Sequence, residues 1–335
     1  MDALELDTPA LYVDLDVLEH KIGRMQEQCD GWKVNLRPHV KTHKIPEIAR
    51  MQLGAGAIGI TVAKLGEAEV LPGDDVLVAF PILKEKLPRL GTLAKARRVT
   101  VAVDSVEAAR GLAGIRTLVE IDVGVGRSGV QSPAQAVDVA RACSDFQGLF
   151  YWPAWLDEAA FKTACITIDS ALQALRTAGL DANIVSGGST PGASKTRLIP
   201  QTTEIRPGTY VFYHANSLEA KCCVEADCAL RVLTTVVSTA VPGQCLIDGG
   251  SKTFSSDATR GPGTFGHFIG RRWTMRQMNE EHGYVEIHEP ACIGEKVWVV
   301  PSHVCSTVNL HDEIWYGRRG RVDGSWKVAA RGKVR

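Results

Sequence analysis

Three short stretches of the 335-residue sequence carry residue types that do chemistry. Arg37-Pro38-His39-Val40-Lys41-Thr42-His43-Lys44 crowds an arginine, two histidines and two lysines into eight positions. A lysine in such company becomes a nucleophile when its ammonium form is disfavoured. The like charge of Arg37 and Lys44 is one way to achieve that for Lys41. The plainer alternative, which composition alone favours, is a solvated basic loop. Val185-Ser186-Gly187-Gly188-Ser189-Thr190-Pro191 places two glycines before two hydroxyls. That pattern lets backbone N–H groups approach an anion such as a phosphate, and an ordinary Gly-Ser turn shares it. In Pro301-Ser302-His303-Val304-Cys305, residues two apart on a strand would point to one side. His303 and Cys305 would then face one metal with N and S donors that suit zinc, leaving the open positions of a catalytic site. The alternative is a buried cysteine beside a hydrogen-bonded histidine.

Other candidates carry less. Gly124-Val125-Gly126-Arg127-Ser128-Gly129 lacks the third-glycine spacing and the acidic partner of a dinucleotide fingerprint. It reads as a tight strand-end turn presenting Arg127. Cys222, Cys223 and Cys228 do not form a Cys-x-x-Cys zinc spacing and read as core thiols.

These groups need a frame, and the hydrophobic pattern supplies one. Strand-type runs occur at 33–40, 57–63, 75–80, 98–103, 118–123, 148–155, 183–187 and 205–212. Helical patterns at 15–29, 45–53, 65–71, 106–112, 133–143 and 157–178 alternate with them. Parallel strands need such crossovers, and eight is the number that closes a (β/α)8 barrel. In that fold the C-terminal strand ends carry the chemistry, and the loops after strands seven and eight hold phosphate. The Arg37–Lys44 cluster and the Gly187–Gly188 turn fall at such ends. Past about residue 228 the runs at 231–240, 244–248, 285–288, 296–300, 313–317 and 326–330 have little helix between them. They read as a mostly antiparallel β domain. The expected division is a barrel at 18–228 and a β domain at 229–335, which the β-like residues 1–17 can join.

Composition narrows the classes. Lys plus Arg and Asp plus Glu both number 38, so the net charge is zero and no chain-wide field favours nucleic acid or a membrane surface. Nine cysteines cannot all pair, which points to a reducing, cytoplasmic setting. No apolar run reaches the ~18 residues of a membrane span, and no charged-then-apolar leader opens the sequence.

Taken together, several motifs resemble the D-threonine aldolase / D-serine dehydratase family. They are Thr8-Pro9-Ala10-Leu11, the Arg37–Lys44 stretch, Leu65-Gly66-Glu67-Ala68 and Glu120-Ile121-Asp122-Val123-Gly124. Ser186-Gly187-Gly188-Ser189-Thr190-Pro191, Thr203-Glu204-Ile205-Arg206-Pro207-Gly208-Thr209-Tyr210, Glu281-His282-Gly283 and His303-Val304-Cys305 follow in order. The family's enzymes use pyridoxal phosphate on an alanine-racemase-like barrel followed by a β domain. The resemblance implies that Lys41 binds the cofactor covalently. It also implies that Gly187, Gly188, Ser189 and Thr190 cradle its phosphate, with Tyr210 nearby, and that His303 and Cys305 hold a divalent metal (Zn, Mn or Mg). His39, in the cluster around Lys41, and Arg127, in its strand-end turn, join the expected catalytic set by position. A homodimer, with the barrel of one subunit meeting the β domain of the other, is expected too.

The chain departs from the pattern in one place. Where relatives carry a Tyr-x-Gly-His type segment, this sequence reads Tyr151-Trp152-Pro153-Ala154-Trp155, so Trp152 and Trp155 stand in for the tyrosine and histidine. An indole is a donor only and cannot serve as a base. His214, in Tyr213-His214, is a candidate substitute for the missing histidine. The expected activity is cleavage of a D-3-hydroxy amino acid to glycine and an aldehyde. Elimination to a 2-oxo acid and ammonia is the alternative, and a catalytically silent cofactor-binding protein a further one.

Overall fold

A computed structural model of the chain describes residues 1–153 and 157–335, so the expectation for Trp155 lies outside the described residues. The chain divides into two compact units. One comprises Arg24–Lys41, Ile48–Gly208 and Lys333–Arg335, the other Met1–Gly23, Thr42–Glu47 and Thr209–Gly332.

The first unit is an all-parallel, eight-stranded sheet with a helix or loop crossover between successive strands, the TIM-type architecture expected. Its strands are Asn35–Leu36, Ile60–Val62, Asp75–Val78, Arg98–Val103, Arg116–Glu120, Asp145–Phe150, Ile184–Gly187 and Glu204–Ile205. The sheet order runs from Asn35–Leu36 through Glu204–Ile205 and back to Ile60–Val62. Beyond the ends of those strands a parallel bridge joins His39 to Thr61, and the Thr61 N–H donates to Pro38 O at 2.8 Å. The sheet thus closes on itself through this bridge. Leu77, Ala102, Leu118 and Phe150 pack inside, with Ala79 and Trp152 against them.

Several strands are shorter than their apolar runs; the run at 33–40 is strand only over Asn35–Leu36. The run at 205–212 is strand only over Glu204–Ile205, because Pro207 cannot donate to a ladder, and a 3-10 turn follows at Thr209–Val211. The run at 148–155 ends at Phe150, so Tyr151 and Trp152 stand beyond the strand end. The helix Leu87–Ala96 was not anticipated.

The second unit is a nine-stranded, mainly antiparallel sheet. Leu230–Ser238 runs through it, antiparallel to Ala10–Asp14, Gln244–Ile247 and Lys296–Pro301. Ala10–Asp14 pairs in parallel with Glu313–Arg318. Tyr12, Leu233, Ala3, Leu6 and Ala10 form a buried cluster against Trp298 and Trp315. Strands Gly266–Phe268 and Thr274–Met278 were not read from the sequence. No helix among the described residues is long and apolar enough to cross a membrane.

Candidate active site

The basic stretch, shared between the two units, is not a solvated loop. Arg37, His39, Thr42, His43 and Lys44 are all buried, and only Lys41 among residues 36–45 is exposed. Nor do Arg37 and Lys44 act as bare charges beside Lys41. Arg37 Nη1 meets Asp75 Oδ1 at 2.7 Å and its Nε meets Glu204 Oε2 at 3.0 Å, all three side chains being largely buried. Gly59 makes room for this, since a Cβ there would sit 2.5 Å from Arg37 Nη1. In the second unit, Lys44 Nζ donates to Asn309 Oδ1 at 2.7 Å.

His39 has a definable protonation state. Its pKa lies well below the ordinary imidazole value, first because it is buried and then because of the charges of Lys41 and Arg206. It hydrogen-bonds the backbone of Thr61, whose N–H is already given to Pro38, so the ring donates to the Thr61 carbonyl. Its Nδ1 is buried and without a partner. In the neutral ring that atom carries the lone pair.

Arg206 is a residue that reading the sequence for catalysis passed over. Its Nε donates to Ser186 Oγ at 2.8 Å and its Nη2 to Tyr151 O at 2.6 Å, and its guanidinium lies 3.7 Å from the Phe150 ring centroid. Burial lowers its pKa to about 10, which leaves it charged at neutral pH. The available signal was alternation: Glu204 and Arg206 are two apart at a strand end.

Arg127 sits in the turn after Arg116–Glu120. Its Nη2 donates to Glu120 Oε1 at 3.0 Å and its guanidinium lies 4.6 Å from the Trp152 ring centroid. The turn itself is organised by Asp122, whose Oδ1 accepts the N–H groups of Gly124, Val125 and Gly126 at 2.8–3.1 Å. Despite burial, those backbone bonds hold its carboxyl below the usual range.

The Gly187–Thr190 turn follows Ile184–Gly187. A Cβ on Gly187 would lie 2.1 Å from Tyr151 Cζ, so the tyrosine ring fills the space a side chain would need. The Tyr151 hydroxyl is fixed by Thr202 Oγ1 at 2.7 Å. Gly188 adopts φ +94°, which favours glycine. Thr190 Oγ1 accepts from Gly208 N–H at 3.1 Å, and Ser189 Oγ from Gly192 N–H at 3.3 Å.

In the second unit the structure corrects one geometric premise. The strand Lys296–Pro301 stops before His303, which caps the short helix Val304–Val308, and Cys305 lies in that helix. The two side chains still converge, because His303 hydrogen-bonds Cys305. That bond is the largest reason the His303 pKa rises to about 9. Burial opposes it, and Asp257 adds to it. His303 Nδ1 lies 2.7 Å from Asp257 Oδ2. Cys305 Sγ lies 3.4 Å from the hydroxyl of Thr42, the residue after Lys41. Among the described residues no three of His, Cys, Asp or Glu converge as a metal cage.

His214 stacks on His303, with ring centroids 5.4 Å apart. Its Nδ1 faces Ser302 O at 2.7 Å and must donate, which leaves the lone pair on Nε2. Burial pushes its pKa down to about 4, against the pull of the Ser302 bond. Tyr210 is buried in the Thr209–Val211 turn of this unit.

The alanine racemase N-terminal domain model matches residues 13–216, and a serine dehydratase domain model matches residues 229–316. A D-threonine aldolase of Arthrobacter sp is 34% identical over 98% of this chain and 93% of its own length. A D-threo-3-hydroxyaspartate dehydratase of Delftia sp. (strain HT23) is 33% identical over 91% of this chain and 92% of its own. A cysteine-to-alanine mutant of a dehydratase of that name has been solved in a metal-free form, with TM-score 0.88, 28% identity and 98% coverage of both chains. The crystal structure of D-threonine aldolase from Filomicrobium marinum superposes with TM-score 0.91 at 30% identity, covering 99% of this chain and 98% of that one.

Proposed function

Because the chain belongs to the D-threonine aldolase / D-serine dehydratase family of pyridoxal-phosphate lyases, we propose that it acts on D-3-hydroxy amino acids, by aldolase-type cleavage to glycine and an aldehyde. The reading rests most on one observation: a single exposed lysine, Lys41, in a buried basic segment at the C-terminal end of a barrel strand.

The barrel residues fit the cofactor. Lys41 offers an accessible amine, His39 Nδ1 is a buried acceptor in want of a donor, and Gly188 at φ +94° opens the backbone where a phosphate would bind. Lys41 would hold the aldehyde, and Gly187, Gly188, Ser189 and Thr190 the phosphate, with Tyr210 as the family resemblance implies. When bound, pyridoxal phosphate supplies an electron sink for negative charge at the substrate's α-carbon. Arg206, charged and fixed by Ser186 and Tyr151, sets a positive potential inside the barrel. His39 keeps a neutral ring whose Nδ1 is open to a hydrogen-bond donor. Arg127, steadied by Glu120 and Trp152, presents a guanidinium suited to a carboxylate.

His303 and Cys305 would hold a divalent metal, and imidazole with thiolate suits zinc better than magnesium. Such an ion supplies Lewis acidity toward a hydroxyl oxygen. His214, neutral with its lone pair on Nε2, is an available proton acceptor on this unit. The cysteine beside His303 favours the second reading, dehydratase-type elimination, since His-x-Cys is the form usual in the family's dehydratases.

Incubating cofactor-loaded protein with D-threonine or D-3-phenylserine separates the two. Glycine with acetaldehyde or benzaldehyde is expected. A 2-oxo acid and ammonia without glycine would replace the aldolase reading by the dehydratase one, and a yellow protein that turns over neither substrate would support the silent alternative. A homodimer is part of the proposal, and light scattering of the purified protein tests it.

A further inference from the structure

Asp257 belongs to none of the motifs above, yet it holds the turn that carries His303 and Cys305. Its Oδ2 lies 2.7 Å from His303 Nδ1 and also accepts the Ser306 hydroxyl, while its backbone carbonyl accepts the Ser302 hydroxyl. Thr307 Oγ1 adds a bond to Phe254 O at 2.9 Å, so the 254–257 segment grips the 302–307 turn from both ends. A carboxylate oxygen can only accept, so His303 Nδ1 carries the proton that faces it, and Nε2 is the ring nitrogen left to meet a metal. His303 and Asp257 are 39% and 46% exposed, so an ion from solvent can reach the imidazole.

We propose that Asp257 is the positioning residue of the metal site, fixing the tautomer and ring orientation in which His303 Nε2 joins Cys305 Sγ as a ligand. The inference rests on the metal reading of those two residues. Outer partners of this kind typically change metal affinity by about 10–100-fold. A merely structural role would pin the turn and do no more, and the Ser302 hydroxyl does that part without touching the imidazole.

The test needs no turnover. Chelator-treated protein is titrated with Co2+, whose thiolate charge-transfer absorption reports ligation by Cys305, and Zn2+ affinity is then measured by competition with a chromogenic chelator. Asp257→Asn should weaken Zn2+ binding by about 10–100-fold while keeping the thiolate band at saturation. Ser302→Ala should bind as the unchanged protein does. Thermal unfolding of the metal-free variants shows that both are folded. Equal affinity in Asp257→Asn and the unchanged protein would overturn the positioning role, as would equal weakening by Ser302→Ala. Absence of any Co2+–thiolate band in the unchanged protein would instead overturn the metal reading itself.

Discussion

The guanidinium of Arg127 lies 4.6 Å from the centroid of the Trp152 ring while its Nη2 meets Glu120 Oε1 at 3.0 Å. Arg127 is half exposed, and these two neighbours limit where it can point. An exposed cation–π contact contributes about 0.5–1 kcal/mol. Replacing Trp152 by alanine should therefore lower kcat/KM on D-threonine by about two- to fivefold, mainly through KM, because a loosened carboxylate contact weakens ground state and transition state alike. Trp152→Phe should recover most of the loss. Steady-state kinetics on the two variants decide it, and a pure kcat effect would count against the assignment.

Lys41→Ala should leave the fold intact, since the side chain is exposed and anchors no core. The variant should lose the visible absorbance of the cofactor-loaded protein and all turnover. Circular dichroism and an absorbance scan after reconstitution check both halves. An unchanged spectrum would remove Lys41 from the cofactor site.

Gly187→Ala forces a methyl against the Tyr151 ring. Overpacking of this kind costs about 1–3 kcal/mol. Urea denaturation should show that loss, and cofactor affinity should fall with it because the phosphate turn begins at this residue. If the backbone yields freely instead, the urea midpoint will not move.

Two buried histidines predict the direction of the pH dependence. The folded pKa values of His39 and His214 lie below the unfolded value of about 6.5, that of His214 at about 4. As pH falls through 6.5 the unfolded chain takes up protons that the folded chain refuses. Stability is therefore lost on acidification, at up to about 1.4 kcal/mol per pH unit for each proton. Urea midpoints between pH 6.5 and 4 should fall less steeply in His214→Asn than in the unchanged protein. Parallel slopes would show that His214 is not held neutral.

Most of the barrel was legible because parallel strands covered on both faces read as unbroken apolar runs. Val76-Leu77-Val78 and Val101-Ala102-Val103 are such runs. The helix Val304–Val308 was illegible for a related reason: Val304, Thr307 and Val308 are β-branched, and local propensity favours a strand. Tertiary bonds such as Thr307 Oγ1 to Phe254 O decide otherwise. Lys41 and the Gly187–Thr190 turn stood out by composition. Asp257 and Arg206 did not, since what marks them is the set of distant groups they touch. The burial of the basic segment was hidden too, because the carboxylates that neutralise Arg37 come from Asp75 and Glu204.

The barrel closes between its first strand and its last. Arg37 and Glu204 are 167 residues apart, and the strands Asn35–Leu36 and Glu204–Ile205 pair directly. During synthesis Lys41 therefore leaves the ribosome long before Gly187, Gly188 and Arg206 exist. Pairings of such long range form late and expose unpaired strands meanwhile. If Lys41 and the Gly187–Thr190 turn hold the cofactor as proposed, its capture waits for the finished barrel.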